Sequence, residues 1–92
     1  MNLSEFSISF SRKARKGLLE LNERTQLLVE EAIDTLKTDP VPIKQYGVKK
    51  LFGSESDYRI RIGQYRIQYT IYQNEKAIVI FYISRRLGNT YK

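Results

Sequence analysis

Phe6, Ile8 and Phe10 alternate with Ser7 and Ser9, so Glu5 to Phe10 reads as a strand with one apolar face. Ser11 is suited to cap a helix. Phe10, Ala14, Gly17, Leu18 and Leu21 then follow helical spacing, while Arg12, Lys13, Arg15 and Lys16 lie around the other side. Asn22 breaks this helix and caps the next, whose expected buried stripe is Leu28, Val29, Ala32, Ile33 and Leu36. The short break predicts an antiparallel helix pair. Asp39-Pro40-Val41-Pro42 cannot continue a helix, which ends the second one near Thr38. After a loop over residues 40–47, Val48 to Phe52 reads as a short strand and Gly53 to Asp57 as a turn. Strands follow at residues 58–62 and 65–72, then a turn over Gln73 to Lys76. Ala77 to Ser84 (AIVIFYIS) is nearly all apolar, as expected of a central strand covered on both faces. No linker or repeat interrupts residues 1–92, so the pattern predicts a single α+β domain of order βααββββ. Its helices pack on one face of a mainly antiparallel sheet.

The stretch YRIRIGQYRIQY, residues 58–69, carries the most specific geometry. Gly63-Gln64, glycine first, matches the two-residue loop of a type II′ hairpin. That loop pairs Ile62 with Tyr65, Arg61 with Arg66, Ile60 with Ile67 and Arg59 with Gln68. Alternation places Tyr58, Ile60, Ile62, Tyr65, Ile67, Tyr69 and Ile71 on the helix-covered face. Arg59, Arg61, Arg66, Gln68 and Thr70 share the other face. Extending the register through the last turn pairs Tyr72 with Ala77, Thr70 with Val79, Gln68 with Phe81 and Arg66 with Ile83. Arg85 then joins the arginines one diagonal step from Arg66. Like charges directly opposed in a sheet are destabilising by a few tenths up to about 1 kcal/mol. A convergent set with no acid among the facing positions therefore points to an anion. Arginine's planar fork suits phosphate oxygens, and Phe81 and Ile83 beside it offer a base something to pack on.

Composition narrows the chemistry. The 92 residues contain no cysteine and no histidine, which excludes disulfides, thiolate metal sites, cysteine nucleophiles and a Ser-His-Asp triad. Lysine and arginine number 16 against 10 acids, a formal charge of +6 that suits a polyanion or an acidic protein. No apolar run approaches the roughly 18 residues of a membrane span. The N-terminus also lacks the basic-then-apolar pattern of a secretory signal, so a cytoplasmic protein with no membrane partner is expected.

On these residues the chain resembles the RelE/ParE toxin superfamily of prokaryotic toxin–antitoxin systems. The resemblance rests on the βααββββ order, the basic first helix, the helix end before Asp39-Pro40, KKLFG at 49–53, YRIRIGQYRIQY at 58–69 and the closing RRLGNTYK at 85–92. It implies a microbial RNase-like fold. For the RelE branch it implies an mRNA interferase that enters the ribosomal A site. There a ribose 2′-hydroxyl attacks the adjacent phosphate, leaving a 2′,3′-cyclic phosphate and a 5′-hydroxyl without metal or cofactor. Lysines, arginines and a C-terminal tyrosine replace the usual histidines.

Carried over residue by residue, the resemblance places the family's basic pair before the turn on Arg59 and Arg61. Several relatives have lysine there. Arginine, with a pKa above about 12, stabilises charge but is a poor base. The arginine after the turn falls on Arg66, a phosphate clamp. The tail arginine falls on Arg85 or Arg86. The tail tyrosine falls on Tyr91, a candidate base or stacking residue whose phenolate nearby arginines would favour. Lys49, Lys50, Lys13 and Lys16, together with Arg15, are either solvated surface charge or contacts to ribosomal RNA.

Three functions remain open on the sequence: ribosome-dependent message cleavage, a ParE-like gyrase poison without RNase chemistry, and an inactive antitoxin-binding co-repressor module. The basic set and the tail tyrosine favour the first. The resemblance further implies a small, acidic, largely helical antitoxin that bridges any heterotetramer and supplies the contact to operator DNA.

Overall fold

The computed structural model describes residues 5–85. Within them the elements are β1 (Ser7–Phe10), α1 (Arg12–Leu19), α2 (Glu23–Leu36), β2 (Gly47–Lys50), β3 (Asp57–Ile62), β4 (Tyr65–Tyr72) and β5 (Ala77–Arg85), the expected order. They form one sheet, β1-β5-β4-β3-β2, in which β1 runs parallel to β5 and every other neighbour is antiparallel.

Local chemistry sets the boundaries. Ser11 is extended, with φ −68° and ψ 164°, and its hydroxyl accepts the Ala14 N–H at 3.0 Å, so α1 starts at Arg12. Asn22 does the same for α2, its Oδ1 accepting from Thr25 N at 2.8 Å. At the far end of α2 the Lys37 carbonyl accepts from the Phe6 N–H at 2.8 Å. The Pro40 carbonyl accepts from the Tyr69 hydroxyl at 2.6 Å. The helix exit is thereby tied to both the N-terminal segment and the middle of the sheet.

The core lies between one sheet face and the helices. Ile60, Ile67, Tyr69, Ile78, Ile80 and Ile83 meet Ala14, Val29, Ala32, Ile33 and Leu36, all buried. Tyr58 and Tyr69, opposite one another in β3 and β4, stack with ring centroids 6.0 Å apart. Leu28 does not join this core. It stays 48% exposed, because Val29, Ala32, Ile33 and Leu36 complete the inward stripe at i, i+3, i+4 and i+7.

The two strand boundaries that flank the β2–β3 turn differ from the sequence pattern. Leu51 and Phe52 leave β2 for the turn, and Asp57 leaves the turn for β3. Ser54 accounts for both changes. Its N–H bonds Leu51 O at 3.2 Å, and its hydroxyl accepts from Asp57 N at 3.0 Å. The Leu51 N–H meanwhile donates to Asp57 O at 2.8 Å. Gly53, at φ +81°, makes the reversal that a side chain there would strain.

The larger departure is a β-bulge in β5. Tyr72 to Tyr69 pair with Ala77 to Ile80 as expected, but Gln68 then faces Tyr82 rather than Phe81. Phe81 is the extra residue, and every partner beyond it shifts by one. Its carbonyl, displaced from the ladder, accepts from the Ser11 hydroxyl at 3.0 Å, while Ile80 O accepts from Ser11 N at 2.9 Å. The residue that caps α1 thus also holds the bulge.

Candidate nucleic-acid interface

The hairpin of β3 and β4 has the register expected of a two-residue turn: Ile62 with Tyr65, Arg61 with Arg66, Ile60 with Ile67 and Arg59 with Gln68. Gly63 has φ +57° and no other residue of the turn has positive φ, as type II′ geometry requires. Packing enforces the arrangement. Slipping β4 by one residue would expel Ile67, Tyr69 and Ile71 from the core and bring in Arg66, Gln68 and Thr70. Each large apolar side chain contributes about 1.5–3 kcal/mol by burial. The opposed arginines cost at most about 1 kcal/mol. The core wins, and the two arginines are held face to face.

Two rows of side chains cross the open face. One runs Lys49, Arg59, Gln68, Tyr82; the next runs Gly47, Arg61, Arg66, Ser84. Gly47 leaves room beside Arg61, since a Cβ there would lie 3.7 Å from Arg61 Cβ and 3.9 Å from its Nε. Arg66 is partly buried, and its Nε is enclosed without a hydrogen-bond partner among the described residues. Among the described residues an acid does stand on this face: Asp57, which the sequence pattern assigns to the turn, is the first residue of β3. Its Oδ1 accepts from Thr70 Oγ1 at 2.5 Å, two positions along β3 from Arg59.

The bulge decides which neighbours flank the arginines. Phe81 follows buried Ile80 and, by alternation, faces the open side. Tyr82, opposite Gln68, faces the same side. Ile83 does not: it pairs with Ile67 and is 4% exposed, within the core. The expected pairing of Arg66 with Ile83 is therefore replaced by Arg66 with Ser84. Arg85 pairs with Tyr65, out of phase with Arg66, and its Nη2 donates to Gln64 Oε1 at 2.9 Å. The expected fourfold convergence reduces to Arg59, Arg61 and Arg66, with Arg85 at the hairpin tip. Lys49 stands opposite Arg59 on the open face, whereas Lys50 is opposite Tyr58 and points with the core-facing set. Lys13 and Lys16 lie on α1 at the outer edge of β5. Lys13 Nζ sits 4.7 Å from the centre of the Tyr82 ring. Arg86 and Tyr91 lie outside the described residues. Among the described residues, no helix is long and apolar enough to cross a membrane.

The chain is thus an α+β sandwich whose open sheet face carries opposed arginines flanked by aromatic rings. The family described as the ParE toxin of type II toxin–antitoxin systems matches residues 8–89. A relative named as toxin RelE1, from Methanocaldococcus jannaschii, is 37% identical over 84 residues, 91% of this chain and 93% of that one. The chain belongs to the RelE/ParE family of toxins. Among solved structures, the archaeal RelE–RelB complex from Pyrococcus horikoshii matches with a TM-score of 0.81 and 28% identity, over 90% of this chain and 97% of that one. The RelBE2 toxin–antitoxin complex of Mycobacterium tuberculosis matches at 0.73 and 26%, over 89% and 99%. Isolated E. coli RelE, at 17% identity and a TM-score of 0.75 over 88% and 84%, shares the fold.

Proposed function

We propose that this chain is a RelE-type toxin that cleaves ribosome-bound message. The observation that carries the reading is the enforced opposition of Arg61 and Arg66 on the open face, with the Arg66 Nε–H enclosed and without a hydrogen-bond partner among the described residues. A phosphodiester between the two guanidinium groups accepts from both and removes their repulsion. In the reaction, a ribose 2′-oxygen forms a bond to phosphorus as the bond to the 5′-oxygen breaks. The 2′-hydroxyl proton leaves to a base, and a proton reaches the departing 5′-oxygen. Arg61 and Arg66 stabilise the charge that grows on the non-bridging oxygens, which is where fixed donors act most strongly. Arg59 and Lys49, one row along, hold the neighbouring backbone. Tyr91, and Arg85 or Arg86, are the proposed tail contributors.

We also propose a cognate antitoxin. The P. horikoshii and M. tuberculosis neighbours are toxin–antitoxin complexes, and a +6 chain favours an acidic partner. The test of function is primer extension on message from programmed ribosomes, with gyrase supercoiling assayed in parallel. New 5′ ends within the A-site codon are expected. Intact message together with inhibited supercoiling would overturn the proposal in favour of the ParE-like activity.

A further inference from the structure

β1 ends at Phe10, opposite Ile80, so among the described residues β5 continues from Phe81 to Arg85 without a strand on its outer side. α1 closes only part of that edge. Gly17 brings the helix against the Ile83 backbone, and beside this contact lies an open cleft of about 520 Å³. Lys13 and Lys16 line it from the helix; Tyr65, Tyr82, Ser84 and Arg85 line it from the hairpin and β5. Glu20 is the single acid among the described residues around it. Three cations and two phenol rings in one cleft are a combination suited to a phosphate with an attached base. The position matters as much as the composition: Ser84, on the cleft wall, is the direct partner of Arg66. The cleft therefore begins about one strand spacing, roughly 4.8 Å, from the arginine pair. The bulge sets its lining, because an unbroken ladder would turn Tyr82 toward the core.

We propose that this cleft is a nucleotide subsite for the RNA residue next to the phosphate held by Arg61 and Arg66. Its base stacks on Tyr82, and its own phosphate is met by the Lys13 and Lys16 ammonium groups. The assignment rests on the RNA-cleaving reading above, and its test separates the two. A fluorescent hexaribonucleotide with every 2′-oxygen methylated binds but lacks the nucleophile, so equilibrium anisotropy reads affinity alone. Tyr82→Ala should weaken binding about tenfold, the usual scale for losing one base–aromatic stack, while Tyr82→Phe stays within about twofold. Lys13→Ala, at an exposed helix position that leaves folding intact, should weaken binding several-fold and lower the log–log salt slope by about one. Arg66→Ala should weaken binding independently. Loss in Arg66→Ala with Tyr82→Ala and Lys13→Ala equal to wild type would overturn the subsite and leave the RNA reading standing. Loss in the cleft variants with Arg66→Ala unchanged would also overturn it, because the cleft would then act apart from the arginine pair. No binding by the wild type overturns the subsite, while cleavage on programmed ribosomes decides the RNA reading separately. Unchanged RNA affinity with weakened antitoxin binding in the cleft variants would assign the cleft to protein and overturn it as well.

Discussion

Arg61 in β3 stands directly opposite Arg66 in β4, on the sheet face that the helices leave uncovered. The pair closing a two-residue turn, Ile62 and Tyr65, is hydrogen-bonded. The next pair is then of the non-hydrogen-bonded kind, with Cα atoms about 4.5 Å apart and side chains close. The free protein keeps this repulsion because moving either residue would disturb the core behind it. Arg61→Gln should therefore stabilise the free protein, by a few tenths up to about 1 kcal/mol, and at the same time weaken RNA binding. Urea unfolding checks the first effect and anisotropy the second. A variant both less stable and unimpaired in binding would count against the role given to the pair.

Ser11 uses one hydroxyl twice. It accepts from Ala14 N at the start of α1 and donates to Phe81 O at the bulge. Ser11→Ala should lose about 1–2 kcal/mol. Ser11→Asp separates the two bonds. It remains a good cap but presents an acceptor to a carbonyl, so it too should be less stable than wild type, whereas Ser11→Thr keeps both bonds. Equal stability of the Asp variant and wild type would show that the bond to the bulge contributes nothing.

Gly17 is required by close approach rather than by backbone angle. A Cβ at this position would stand 2.5 Å from the Ile83 carbonyl oxygen, a backbone atom of β5. Alanine normally favours a helix over glycine by about 1 kcal/mol. Here the clash should outweigh that gain, and Gly17→Ala should destabilise by about 1–3 kcal/mol. Thermal unfolding measures the sign directly.

Tyr69 is fully buried, and burial, reinforced by Tyr58 and Asp39, pushes its phenol well above the ordinary tyrosine value. The folded chain keeps this proton to higher pH than the unfolded chain. The contribution is complete below about pH 10 and is lost as pH rises beyond it, by about 1.4 kcal/mol per unit for one proton. Denaturant midpoints followed from about pH 9 to about pH 11 should fall more steeply for wild type than for Tyr69→Phe. Near neutrality the variant should be about 1–2 kcal/mol less stable, because the Pro40 carbonyl loses its donor.

The hairpin register was readable from the chain because Gly63-Gln64 dictates a turn type and the flanking isoleucines and tyrosines alternate cleanly. The caps at Ser11 and Asn22 were readable for a similar reason, a small polar residue just ahead of an apolar stripe. The bulge was not. AIVIFYIS is apolar at nearly every position, so nothing in it marks where the parity of the strand changes. Unbroken alternation consequently puts Ile83 on the open face, turns Tyr82 toward the core and sets Arg85 one diagonal step from Arg66, whereas the bulge reverses all three. The one available signal was the Phe81-Tyr82 step, two large aromatics in succession, of which one carries a polar tip that a core strand seldom buries unpaired. Asp57 escaped notice because its strand position depends on Ser54 rewiring the preceding turn.

The central claim is that the Arg61–Arg66 pair acts on the phosphate that is cut. Its most direct measurement is the single-turnover rate of A-site message cleavage on programmed ribosomes, compared between wild type and a folded Arg66→Ala variant. Removing one fixed donor to a developing oxyanion typically lowers the rate about 100- to 1,000-fold, and a loss of that size is expected here. Cleavage by Arg66→Ala at the wild-type rate would contradict the account.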